Sequence, residues 1–403
     1  MRVAIFLGFT NPFPGAGWTR IESLANCWST EGHEVTIIGC VSPSTMNRKK
    51  AIYSANIKLF NLVIRIGSIH PLLFLFNILV SFLSCILIFL CIKPNLTIVS
   101  LPSGDSGLGA LMACRMLRLK YLVDYRDEWE DRNHERARGY ITKSFYVLIK
   151  KPATRLYSKS LLVSTVTSPL KSALGRRGIR SILFPNGADT ELFKPLKTDK
   201  SVNRIDLVYA GIIGDCYSFE LVLQSMKALP KVLLTHVTLV IAGYGPALKG
   251  VLQLAKRLNL SKHVIYLGPI QDRQLVASLL AHSHIGLVPL DSNPLMTNVL
   301  PVKFLEYCAV GIPVLATAPP GSLLEKMIKK YRLGEVVEPG NAVGFSRAFQ
   351  RLIRNESFRV KAGMNGRALV IEMFNRQQIS YNLVKFVDEI LRQQTEELGF
   401  KTC

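Results

Sequence analysis

The sequence predicts an α/β protein of two doubly wound domains facing a central cleft. Three observations carry this expectation. Short, near-continuous apolar runs alternate with helical stretches, as parallel strands buried on both faces require. The alternation stops near residue 195 and starts again. Length also agrees: 403 residues accommodate two domains of about 180 to 200 residues. Hydrophobic residues make up 49% of the chain, enough for two cores.

The first series opens with VAIFLGF, a helix expected over Arg20 to Thr30, and EVTIIGC. LTIVSLP, KYLVDYR, LLVSTVT and SILFPNG follow as further strands. ELFKPLKTDKSVNR is polar, carries a proline and reads as the interdomain linker. The second series runs DLVYAGI, TLVIAGYG, HVIYLGPI, IGLVPL, IPVLATA and GEVVEP. A long charged helix from Arg376 to about Leu398 closes the chain. The expected division is 1–195, 196–375 and a terminal helix, 376–403, packing back on the first domain. In such folds ligands bind at the carboxyl ends of the strands.

Fifty Lys and Arg against 28 Asp and Glu leave a net charge of +22. Twelve of the basic residues fall between Arg132 and Arg180, where Glu135 is the one acid. Such a block suits an anionic membrane surface. Nucleic acid is not expected, since no zinc-finger, helix-turn-helix or RNP-type pattern accompanies the charge. Leu72 to Ile92 is uncharged and long enough to span a bilayer. A crossing there would split the first sheet, and Asn77, Ser81 and Ser84 recur at helical spacing. The segment therefore reads as a helix of the first domain, partly core and partly pressed into lipid. The eight cysteines form no C-x-x-C pair and read as reduced thiols of a cytoplasmic protein bound to the inner face of the membrane.

Two motifs carry the chemistry. Gly15-Ala16-Gly17 follows the first strand and precedes a helix, a place where backbone can approach an anion closely. The stronger one runs from Asn298 to Thr317 (NVLPVKFLEYCAVGIPVLAT). Pro301 suits the first position of a helix. The amides of Val302 and Lys303 would then be unpaired, and Lys303 adds an ammonium where a diphosphate would sit. At helical spacing Asn298, Lys303 and Glu306 address one ligand, the carboxylate accepting from sugar hydroxyls.

These motifs, with GAGWTR, GHEVT, VDYRDEW, FPNGADTELFKP, IAGYGP and YLGPI in order, resemble the family-4 retaining glycosyltransferases of the GT-B fold, with two Rossmann-like domains. The resemblance implies a UDP- or GDP-linked sugar as donor, no cofactor, no metal, and an acceptor hydroxyl on a lipid-linked or membrane-surface glycan. Glu306 matches the second glutamate of the family's E-x7-E motif, and Asn298 occupies the place of the first, a departure. Gly211 and Gly214 are followed by Asp215 where many relatives carry an Arg and a Lys for the diphosphate, a second departure. Ile270 matches a position whose backbone reads the nucleobase, with Gly243 and Gly245 on the same wall. Asp127 is the candidate for orienting or deprotonating the acceptor, against a plain ion pair with Arg126 or Arg132. Arg20 and His134 are further acceptor-side candidates. The competing readings are a sugar-nucleotide epimerase on the same fold and a degenerate, non-catalytic subunit.

Overall fold

The computed structural model describes residues 1–12, 15–42, 56–67, 69–101, 104–196, 204–214 and 216–400, without the side chains of Ala16 and 394–400. Asp215 and most of the expected linker (197–203) lie outside the described residues. Two compact units are present: Met1–Asn186 with Gln377–Cys403, and Gly187–Arg376. The division thus falls nine residues before the expected 195/196. The reason is local: Ala188 bridges to Asn375, and Arg367 ties the carbonyls of Thr190, Phe193 and Ala309 together. These contacts make residues 187–196 part of the second unit.

Among the described residues the first unit holds seven parallel strands: β1 (Arg2–Leu7), β2 (Glu34–Val41), β3 (Ile57–Ile64), β4 (Leu96–Ser100), β5 (Tyr121–Tyr125), β6 (Leu162–Thr165) and β7 (Ile182–Leu183). Their order is β3-β2-β1-β4-β5-β6-β7, so the winding direction reverses between β1 and β4. β3 was not anticipated. It is an edge strand interrupted by Lys58 and Asn61, so it lacks the unbroken apolar run that marks the central strands. Helix α1 covers Ala16–Thr30 and begins four residues earlier than expected, because Gly15 serves as its N-cap. On this side of the sheet α1 packs Trp18, Ile21 and Leu24 into one core with Leu383, Val384 and Val387 of the Arg376–Phe400 helix.

The opposite side is covered by α2 (Pro71–Ile92), α3 (Gly104–Met116), α4 (Trp129–Arg136) and α5 (Tyr140–Tyr157). α2 links β3 to β4 of one sheet, which is the role of a crossover helix. It is apolar on both its inner and its outer face. Phe74, Asn77, Ser81, Cys85 and Phe89 face inward. Leu72, Leu75, Leu79, Leu83, Leu87 and Leu90 are all exposed. The Asn77 side chain fixes this: it donates to Ile66 O at 2.7 Å and Asp105 at 2.8 Å, and accepts from Ile66 N at 3.0 Å. Asp105 is in turn paired with Arg65 at 2.9 Å. Gly109 lets α3 close on α2, since a Cβ there would meet Ile78 O at 2.4 Å. Asn77 and Ser81 are thereby turned inward, Ser84 is half-buried, and six leucines are left outside.

The second unit has six parallel strands, β8 (Ile205–Ile212), β9 (Val237–Tyr244), β10 (Val264–Gly268), β11 (Ile285–Pro289), β12 (Val314–Thr317) and β13 (Gly334–Val337). Their order, β10-β9-β8-β11-β12-β13, reverses between β8 and β11.

Candidate active site

The carboxyl ends of β8 and β11 define the crevice of the second unit, because chains leave these neighbouring strands in opposite directions. After β11 the chain forms a single 3-10 turn, Pro294–Asn298, and then the Val302–Ala309 helix. Pro301 is the N-cap of that helix rather than its first residue, with φ −63° and ψ 138°. No side chain caps this end and no acid lies in its first turn. The amides of Val302 and Lys303 therefore have no partner within the helix.

Lys303 extends from this helix start over the end of β8. A Cβ on Gly211 would lie 3.4 Å from the Lys303 Nζ, and Gly211 itself has φ +135°. The ammonium rests 3.7 Å from the ring centroid of Tyr209 and 4.3 Å from that of Tyr217. It is enclosed and, among the described residues, has no hydrogen-bond partner. Burial pushes its pKa down to about 7, with only partial compensation from Cys216 and Glu306. An enclosed ammonium beside bare helix-start amides is an arrangement that can accept a phosphate group.

The neighbouring glycines are needed for backbone closeness. A Cβ on Gly243 would meet Gly211 O at 1.9 Å, and one on Gly245 would meet Ile213 O at 2.2 Å. Gly214 has open space, its nearest neighbour being the Cys216 sulfur at 3.9 Å. The Tyr266 hydroxyl donates to Gly243 O at 3.0 Å, tying β10 to the same wall. Ile270 follows the edge strand β10 and packs against the core under the Val302–Ala309 helix.

Glu306 is placed differently from expectation. Its carboxylate is buried and hydrogen-bonded by Arg273, with Arg376 at 3.9 Å. Arg273 also stacks over Phe193 at 4.9 Å. The carboxylate is thus already matched by guanidinium groups. Asn298 does not share the helix of Glu306 either. It ends the separate 3-10 turn, because Pro301 interrupts any continuous helix from 298 to 306. Lys303 and Glu306 are brought together; Asn298 is in the preceding element.

In the first unit, Gly15 and Gly17 lie at the start of α1, as expected. Arg20 is not free to hold a ligand. Its guanidinium donates to both oxygens of buried Asp124, at 3.0 to 3.3 Å, and to Pro185 O at 3.0 Å. Asp127 is ion-paired with Arg132, the plain alternative for that residue. His134 sits half-buried in the last turn of α4. Arg273, Asp124, Tyr209 and Tyr217 were not anticipated. Asp124 had a signal, a carboxylate inside an apolar strand run.

The two parallel doubly wound sheets define a GT-B glycosyltransferase fold. Comparison with known proteins agrees. Sucrose-phosphate synthase from Thermosynechococcus elongatus superposes with a TM-score of 0.76 at 16% identity, covering 98% of this chain and 100% of that one. The Anabaena protein HepE in complex with UDP-glucose does so at 0.70 and 14% identity, covering 96% and 100%. Residues 193–369 match the family model for glycosyl transferases group 1. N-acetyl-alpha-D-glucosaminyl L-malate synthase of Bacillus anthracis is 30% identical over 154 residues, a stretch covering 38% of this chain and 38% of that relative.

Proposed function

We propose that this chain is a retaining glycosyltransferase that takes a sugar from a UDP- or GDP-sugar and transfers it to a hydroxyl of a membrane-surface acceptor. The observation that carries the donor assignment is the Lys303 ammonium, enclosed at an uncapped helix start and without a hydrogen-bond partner among the described residues. Transfer breaks the bond from the anomeric carbon to the diphosphate oxygen, which leaves with the electron pair. The acceptor oxygen forms the new bond and gives up its proton. Lys303 and the amides of Val302 and Lys303 stand where the departing negative charge needs stabilising. HepE, with the same fold, is known with UDP-glucose bound, which supports a nucleotide sugar. Retention follows the family that the motifs resemble.

The membrane part of the proposal rests on the exposed leucines of α2 and on the basic residues of α5. Lys143, Lys151 and Arg155 accompany exposed Tyr140, Ile141, Val147 and Leu148 on α5, while Lys150 is paired with Asp131. Apolar contact combined with headgroup attraction suits the cytoplasmic face of an anionic bilayer, where the first unit would present the acceptor. The pairing of Glu306 with arginines favours one second reading, a subunit that binds donor without turnover.

A thermal-shift panel of nucleoside diphosphate sugars tests the donor. A true donor at a hundred times its Kd adds about 2.7 kcal/mol of stability. No shift with any UDP- or GDP-sugar would defeat the proposal. Transfer product formed by the wild-type chain from a donor that stabilises it separates catalysis from mere binding.

A further inference from the structure

We propose that the first unit holds a headgroup site for an anionic phospholipid, a groove at the amino ends of β5 and β6 lined by Arg115, Arg118, Lys120 and Lys159. This deepens, and rests on, the reading that the first unit docks on a bilayer. The groove has a volume of about 540 Å³, within the range of ordinary small-molecule sites. Its floor is fixed by hydrogen bonds. The Tyr121 hydroxyl donates to Leu156 O at 2.7 Å, and Leu161 N donates to Tyr121 O at 2.8 Å. The start of β5 and the end of α5 are thereby held together beneath it.

The charge around the groove is one-sided. Arg115 lies in the last turn of α3, Arg118 in the turn that follows, Lys120 just before β5, and Lys159 just after α5. Among the described residues no Asp or Glu lines the groove, and none of the four cations is ion-paired. Arg118 has φ +52°, the left-handed position at which a helix usually closes with glycine. Its amide donates to Arg115 O at 3.2 Å, and Leu119 N donates to Cys114 O at 2.9 Å. Glycine would suit that backbone better, so the turn itself does not call for arginine. Four like charges repel across the empty groove. A headgroup phosphate with more than one negative charge relieves this and accepts from the guanidinium forks.

What adjoins the groove points to a lipid as the source of the phosphate. α2 and α3 are both crossover helices on one side of the sheet, so both run toward the amino ends of the strands. Gly109 of α3 sits against Ser81 and Phe82 of α2, and Cys85 lies within electrostatic range of Cys114. The final turns of the two helices therefore lie side by side at the groove. They expose Leu87, Leu90, Met112 and Met116. A soluble phosphate makes no use of that apolar surface, whereas acyl chains cover it while the headgroup meets the cations.

The test is sedimentation of the full chain with two vesicle sets of equal surface potential, one containing phosphatidic acid and the other phosphatidylglycerol. Wild type should bind the phosphatidic acid vesicles about tenfold more tightly, because a monoester phosphate offers more charge and more acceptor oxygens. Arg115→Gln combined with Arg118→Gly should lose that preference. Glycine suits the left-handed backbone at 118, so the melting temperature should hold. Lys159→Gln, in a turn, should weaken the preference as a second, independent variant. Lys227→Gln with Lys231→Gln removes two charges from exposed positions of the second unit and should keep it. Soluble glycerol 3-phosphate should bind the chain about tenfold more weakly than the vesicle lipid does. The inference is overturned if wild type binds both lipids alike, if the arginine variant keeps the preference, or if the control in the second unit loses it. Equal affinity for glycerol phosphate would overturn it too, in favour of a soluble ligand. Absence of binding to either vesicle defeats the membrane reading and the groove with it, whereas binding without preference defeats the groove alone.

Discussion

The Lys303 ammonium lies against the face of Tyr209, 3.7 Å from the ring centroid, with no hydrogen-bond partner among the described residues. Aromatic faces attract a cation, but they do not replace its water or a counter-ion. The pKa of about 7 expresses that deficit. Since the folded value lies below the ordinary lysine value, the unfolded chain holds more protons between about pH 7 and 10. This group's contribution to stability therefore rises with pH across that window and is absent below it. Binding of a diphosphate restores the proton. Calorimetry of UDP or GDP at pH 8 in two buffers of different ionisation enthalpy should show proton uptake, absent in Lys303→Met. Equal uptake in both proteins would refute the assignment.

Lys303→Met should also lower turnover by about 10²–10³-fold, the usual loss for one donor to a developing oxyanion. Its melting temperature should not fall, because an uncompensated cation is removed. A variant that melts lower yet keeps its turnover would place Lys303 in structure alone.

Glu306→Gln should destabilise the second unit by about 2 kcal/mol, between the values typical of exposed and buried pairs. The reason is that Arg273 and Arg376 both lose the carboxylate. Turnover lost with an unchanged melting temperature would instead point to the sugar hydroxyls as the partner of Glu306.

Replacing Leu79, Leu83 and Leu87 together by serine should abolish sedimentation with anionic liposomes. All three are exposed, so each change should alter stability by less than about 0.5 kcal/mol. Asn77→Ala is the contrasting variant: it leaves Asp105 and the backbone of Ile66 without their buried partner, and should cost about 1–3 kcal/mol. Undiminished liposome binding by the triple variant would remove α2 from the docking face.

Gly243→Ala should weaken donor binding and lower the melting temperature together. Its Cβ would fall 1.9 Å from Gly211 O, and the carboxyl ends of β8 and β9 must part to admit it. A fully stable variant with unchanged UDP affinity would show that this closeness is not needed.

The two strand–helix series, the glycines at the strand ends and the start of the Val302–Ala309 helix were legible in the sequence. All are local: apolar runs, a glycine that must bring two backbones close, and a proline that stops one element and opens another. Partnership was not legible. That Arg20 belongs to Asp124 and Glu306 to Arg273 depends on which strand ends and helix starts the parallel order sets side by side. The same holds for α2, whose composition marked it as apolar. The tertiary packing, with Phe74, Cys85 and Phe89 in the core and Asn77 bonded to Ile66 and Asp105, decided which face turns inward and which leucines stay outside. A buried polar group takes whatever partner the packing brings within reach, and residues 11 to 104 positions apart meet only once the chain has folded.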